Sequence, residues 1–330
     1  MPEASDRGRA DRGLVTTDIG VAVGRLRDGG LVAVPTETVY GLAADAENPS
    51  AVARIFEIKG RPAGHPLIVH LGDADQLTEW VRSIPTSARV LIRACWPGPL
   101  TVLLERGPRV LDVITGGRPS VAIRVPSHPM TRELLQRFGG GVAAPSANRF
   151  GRVSPTTAAH VVDDLAALLD PGHDAIVDGG PTPVGVESTI VDCTVDPPQI
   201  LRPGGISTED VVRLLNGDVA AAAGRARTSG MLESHYAPDC EVRVAESAEQ
   251  AAQIVATLRG TGRRVDVLDL GDDLVEAART LYSELRHADE QVLDVLVAVL
   301  PPARGLGHAI RDRLTKAASG SGPAGSSRAG

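Results

Sequence analysis

One rhythm limits this chain more than any other feature. Short apolar runs, each closed by proline, glycine or a polar turn, alternate with segments whose apolar residues recur at helical spacing. A chain built this way buries its apolar faces by packing helices on a sheet, so the fold class is expected to be α/β. Leu31-Val32-Ala33-Val34, stopped by Pro35, reads as a strand, and Val52, Ile55 and Phe56 predict a helix over 51–58. Strands are further expected over 66–71, 120–125, 139–144, 188–192 and 199–202, with helices over 88–94 and 156–169. The result is a mixed sheet with helices. From Glu241 onward the pattern is simpler: strands over 241–245, 264–268 and 295–300 alternate with helices over 248–258 and 274–285, and a closing helix runs to about Lys316. That order predicts a small parallel, Rossmann-like sheet.

A chain of 330 residues exceeds what one core usually organises, which predicts two domains. Composition shifts give the boundaries: a polar lead over 1–12, a first domain over 13–217, a linker over 218–239, a second domain over 240–318 and a flexible tail over 319–330. The lead has no apolar signal core and no run is long enough to span a membrane, so a cytoplasmic location is expected. Charged groups sum to −7 and aromatics make up 2% of the chain, which argues against a protein that coats nucleic acid or stacks bases on rings. Cys95, Cys193 and Cys240 form no CxxC pair, so neither a disulfide framework nor a zinc knuckle is expected.

Three loops carry chemistry. Pro35-Thr36-Glu37-Thr38 follows a strand and offers two hydroxyls and a carboxylate at a sheet rim, or a cap for the following turn. Lys59-Gly60-Arg61-Pro62 places two cations beyond a helix, suited to a polyphosphate or to complementing the helix dipole. Pro145-Ser146-Ala147-Asn148 follows a run of small residues, reading as an approach for a ligand or as a self-bonded turn. On its strand, Arg124 lies opposite Val121, Ile123 and Val125 and so faces away from their apolar side. His70 ends an apolar strand and, on local pattern alone, is a core histidine. Gly305-Leu306-Gly307 is a turn and cap.

The ordered set PTETVYGL, KGRP, PLIVH, SVAIR, APSAN, GVESTIVD and ILRPG, in register from about Leu31 to Gly205, resembles the YrdC/Sua5 family, the L-threonylcarbamoyladenylate synthases of tRNA modification. His235-Tyr236-Ala237-Pro238 and the βα domain after it are similar to the long Sua5 form. The resemblance implies a YrdC-like twisted sheet. It also implies synthesis of threonylcarbamoyl-AMP and pyrophosphate from L-threonine, bicarbonate or CO₂, and ATP with Mg²⁺, for the t6A37 modification of tRNA. Partner proteins would then transfer the group to tRNA, with direct tRNA binding weak or absent. By the same resemblance Thr38, His70, Arg124, the Ala144 backbone and Ser188 would hold threonine. Lys59, Arg61, Ser146 and Asn148 would cradle phosphates as the catalytic set, and Ser120, Ser154, Arg202 and Tyr236 would make further nucleotide contacts. The resemblance leaves the metal ligands unassigned. Two positions depart from the family's pattern: His65 stands where asparagine is usual and is carried as a nucleotide contact, and Phe150 stands where a hydroxyl residue is usual.

Two other classes fit parts of the pattern. YrdC-like domains occur in hydrogenase-maturation proteins, but with zinc-finger modules whose CxxC series this chain lacks, and an RNA-binding module would sit poorly with the charge of −7. Tyr236 in a connector is unusual, and the linker is expected to fold over the cleft as a lid that shields the adenylate from water.

Overall fold

The computed structural model describes residues 13–220 and 236–321. Ten strands make one sheet: β1 Val15–Thr16, β2 Val32–Val34, β3 Gly41–Asp45, β4 Ile68–His70, β5 Leu100–Glu105, β6 Ser120–Arg124, β7 Val142–Ala143, β8 Ala175–Val177, β9 Thr189–Asp192 and β10 Gln199–Arg202. Their spatial order is β1-β8-β2-β3-β7-β4-β6-β5-β9-β10. The sheet is mixed, because β1/β8, β2/β8, β4/β6 and β5/β9 run parallel while the remaining neighbours are antiparallel. Both faces are covered. Val32 and Val34 pack with Leu26 and Leu135, whereas Ala33 lies in the opposite core with Leu42, Val52 and Ile55. This explains why β2 is apolar throughout rather than alternating.

The second unit is a three-stranded parallel sheet, β11 Glu241–Ala245, β13 Val295–Val299 and β12 Val265–Leu268 in that spatial order. It packs directly on the first: Val39, Val153 and Val186 share one core with Tyr236, Leu281, Tyr282 and Ile310. Gly185 lies at a tight point of that contact. A Cβ there would stand 2.3 Å from the Ala278 carbonyl oxygen, and the residue has φ +81°, so both space and backbone demand glycine.

Several expectations shift at their edges. Gly41–Asp45, just after the loop 35–38 and not expected as a strand, is one whose Gly and Ala residues hide its β character. The helix expected over 156–169 is an α-helix Ala158–Leu165 that tightens to a 3-10 turn Ala166–Leu168. The last helix, Gly307–Gly320, continues into the expected tail. Of the expected linker, Ala220 is tied back to the Pro198 carbonyl and Tyr236 is placed, while 221–235, including His235 and the centre of the proposed lid, lie outside the described residues.

Candidate active site

Pairing of β4, β6 and β5 sets the floor of the site. In that register His70 lies beside Arg124, and Arg124 beside Thr101. Val121 and Ile123 enter the core on one face, and Ala122 packs with Ile68 and Ile190 on the other, the face that carries Arg124. The Arg124 guanidinium donates from Nη1 to Thr38 Oγ1 at 2.9 Å, and its Nη2 lies 2.9 Å from Glu37 Oε1. Thr36 shapes the loop that brings Glu37 and Thr38 there: its hydroxyl donates to the Val39 carbonyl (2.6 Å) and accepts the Thr38 and Val39 amides. Glu37 Oε2 in turn accepts the Ser127 amide.

Burial, reinforced by the Arg124 charge, pushes His70 down to about 3, so its imidazole is neutral at physiological pH. Its Nδ1 lies 3.3 Å from the Ile68 carbonyl, which makes Nδ1 the protonated nitrogen and leaves Nε2 as an acceptor. That carbonyl also accepts the Ala144 amide, so any polar contact of Ala144 with a ligand goes through its own carbonyl. Ser188 Oγ stands 2.7 Å from Thr101 Oγ1 and accepts from Arg202 Nη2 at 3.1 Å. All five residues expected around threonine line one cavity.

The expected nucleotide set divides. Arg61, Ser146, Arg202 and Tyr236 line that cavity. Lys59 stands behind it, 2% exposed, with Nζ donating to the carbonyls of Ser146 and Asn148. Its ammonium lies well below its ordinary pKa because of burial first and Arg61 second. The helix Pro49–Lys59 delivers it there, capped at its start by Asn48 and ended at Gly60 in the left-handed region, φ 63°. Asn148 spends its amide on the Arg149 and Arg152 carbonyls, and Ser154 donates to Glu187 Oε1 at 2.7 Å. Ser120 begins β6 opposite Glu105, at the strand's far end from Arg124. The two departures from the family pattern touch one another: the His65 and Phe150 rings meet edge to face at 5.4 Å, and the Arg61 guanidinium lies 5.6 Å from the Phe150 ring.

Local pattern offered Glu37 only as the carboxylate of a site loop, with no partner, and gave no role to Glu187. Glu187 lines the cavity one residue before Ser188 and bonds Ser154, Tyr282 and Arg313. Burial alone would raise its carboxyl, but Arg313 and Arg202 outweigh burial and hold it at about 2. Both carboxylates appear in the motif strings PTET and GVEST, so an acidic residue flanking a site hydroxyl was the available signal. The cavity therefore offers three guanidinium groups, from Arg61, Arg124 and Arg202, with two carboxylates engaged inside the protein. Three cations converging on one cavity suit a small polyanionic ligand. Among the described residues no three His, Cys, Asp or Glu side chains cluster to hold a metal ion, and no helix is long and apolar enough to cross a membrane.

Comparison with known proteins agrees with this geometry. Residues 25–204 match the Sua5/YciO/YrdC family model, described as "Telomere recombination", and residues 206–319 match the model for the C-terminal domain of threonylcarbamoyl-AMP synthase. Threonylcarbamoyl-AMP synthases of Pyrococcus abyssi and Bacillus subtilis are 41% and 40% identical, over 91% and 92% of this chain and 93% of each relative. The structure of Pyrococcus abyssi Sua5 complexed with L-threonine superposes with a TM-score of 0.86 at 41% identity, covering 92% of this chain and 94% of that one. A His-Tyr double-alanine variant of the same protein also gives 0.86, at 38% identity and 93% and 96% coverage. With both domain models matched in order and relatives aligned along nearly its whole length, the chain belongs to the Sua5/YrdC family, in its long form, the threonylcarbamoyl-AMP synthases.

Proposed function

We propose that the cavity holds L-threonine at its Arg124 end and the phosphates of ATP at its Arg61 and Arg202 end, and that it joins them through CO₂ or bicarbonate. The observation that carries this reading is the convergence of Arg124, Thr38, neutral His70 and Ser188 on one cavity with Arg61 and Arg202, the last of which donates to Ser188. A carboxylate pairs with Arg124, whose planar donors suit it. The threonine hydroxyl has His70 Nε2, Thr38 and Ser188 within the same cavity as partners. The unprotonated threonine amine attacks the carbon of CO₂ and loses a proton, giving a carbamate. A carbamate oxygen then attacks the α-phosphorus and pyrophosphate leaves. Positioning and charge neutralisation supply most of the catalysis, because the nucleophile is already anionic.

Lys59 and Asn148 act in this scheme by fixing the loop that presents Ser146, and Ser154 acts by holding Glu187. The described residues gather no carboxylate cluster for Mg²⁺, which fits an ion that arrives on the triphosphate and keeps its waters. In this reading the product passes to the proteins that modify tRNA, and a cytoplasmic enzyme with little tRNA binding of its own fits that role. Formation of a labelled adenylate from labelled bicarbonate tests the reading. Label should enter the adenylate only when ATP and L-threonine are both present, and incorporation without threonine would refute it.

A further inference from the structure

The Glu187 carboxylate, at the cavity wall, is held mainly from the second domain. Tyr282 donates its hydroxyl to both oxygens at 2.9 and 2.8 Å, and Arg313 Nε donates to Oε2 at 2.8 Å. Arg313 is fully buried, 126 residues from its partner, and its Nη1 also donates to the Pro203 carbonyl, next to Arg202. The same guanidinium lies 5.3 Å from the Tyr236 ring, which stacks on Tyr282 at 5.8 Å. Tyr236, at φ 65°, occupies a backbone region that non-glycine residues enter only when their surroundings fix them.

We infer that Arg313 is a positioning residue for the nucleotide: by pairing with Glu187 it cancels a carboxylate at the cavity wall and leaves Arg202 on Ser188, so that the cavity can accept a polyphosphate. This rests on the assignment of ATP to the Arg61 and Arg202 end. Glu187 has two cations near it, Arg313 and Arg202. Arg202 now donates from Nε and Nη2 to the Ser188 carbonyl and from Nη2 to the Ser188 hydroxyl. Without Arg313 the buried carboxylate keeps the neutral donors Ser154 and Tyr282 but loses one of its two cations, which would draw Arg202 off Ser188 and leave net negative charge facing incoming phosphates. The second domain thus sets the charge of a cavity that the first domain builds, and the role predicts a defect specific to the anionic substrate.

Steady-state pyrophosphate release by the full-length protein, with ATP and L-threonine each varied, tests this. Arg313→Gln is expected to raise the ATP KM at least tenfold and the threonine KM no more than about threefold, and adding Glu187→Gln should bring the ATP KM back to within about threefold of Arg313→Lys, which keeps the charge. A double variant no better than Arg313→Gln, or an Arg313→Gln enzyme with an unchanged ATP KM, would overturn the inference. If Arg313→Gln alone does not fold, the double variant is compared with Arg313→Lys directly, and an ATP KM tenfold higher in the double variant overturns it. Threonine-dependent release by the unsubstituted enzyme shows separately whether the assigned reaction holds.

Discussion

Glu37 Oε1 lies 2.9 Å from Arg124 Nη2, and the two side chains are only 7% and 4% exposed. The cation assigned to the carboxylate of threonine is therefore balanced inside the protein, and removing it leaves a buried carboxylate uncompensated. Arg124→Ala should lower stability by roughly 3–5 kcal/mol as well as impair threonine use. Urea denaturation checks the pairing: Arg124→Ala with Glu37→Gln should recover most of the stability while threonine use stays lost. Equal destabilisation of the single and double variants would mean that Glu37 is satisfied without Arg124.

Lys59 offers a different test, because its Nζ reaches backbone carbonyls rather than the cavity. Lys59→Met keeps the stem and removes two charge-assisted hydrogen bonds, at about 1.5–3 kcal/mol each before relaxation. It should lower turnover and speed amide hydrogen exchange across 146–148. Exchange unchanged there, with turnover lost, would put Lys59 on the phosphates instead.

His70 and His160 make stability depend on pH. Burial, with Arg124 for His70 and with Arg286 for His160, puts their folded pKa values at about 3 and about 4, below the ordinary histidine value. Both are neutral in the fold while the unfolded chain takes up protons as pH falls below about 6.5. Their contribution is complete above that pH and is lost as pH falls toward 3. For His70 alone the loss between pH 7 and pH 4 is about 3 kcal/mol. Denaturation across that range should show a shallower fall for His70→Gln than for the unsubstituted protein, and parallel curves would contradict the assignment.

Alternation on its strand told which way Arg124 faces, whereas Thr38, His70, Ala144 and Ser188 were assigned only through the family motifs, and on local pattern His70 was a core histidine. Arg124 and His70 share one register, β4 to β6, and their motifs mark both strands. Strand β3 was not legible, since Gly41-Leu42-Ala43-Ala44 lacks the branched residues that signal extended chain. Nor were the partners of Glu37 and Glu187. Arg313 lies on the apolar stripe of its helix with Ile310, Leu314 and Ala317, so helical spacing marks it as buried while the part-buried Arg311 and Lys316 lie off that stripe, but nothing local names the group it meets. Pairing across 126 residues is a product of domain packing, and no window of sequence contains it. His65 and Phe150 were legible only as separate departures, and the edge-to-face contact shows them to be one.

The crossed kinetics of two variants test the division of the cavity most directly. KM values for L-threonine and ATP are measured by pyrophosphate release in Arg124→Gln and Arg61→Gln. The expected result is a crossover: Arg124→Gln raises the threonine KM about ten- to a hundredfold, the size of one lost charge-assisted contact at roughly 1.5–3 kcal/mol, with the ATP KM within about threefold. Arg61→Gln does the reverse. If each variant shifts both KM values equally, or if Arg124→Gln acts on ATP alone, the cavity does not hold threonine and phosphate at the two ends assigned to them.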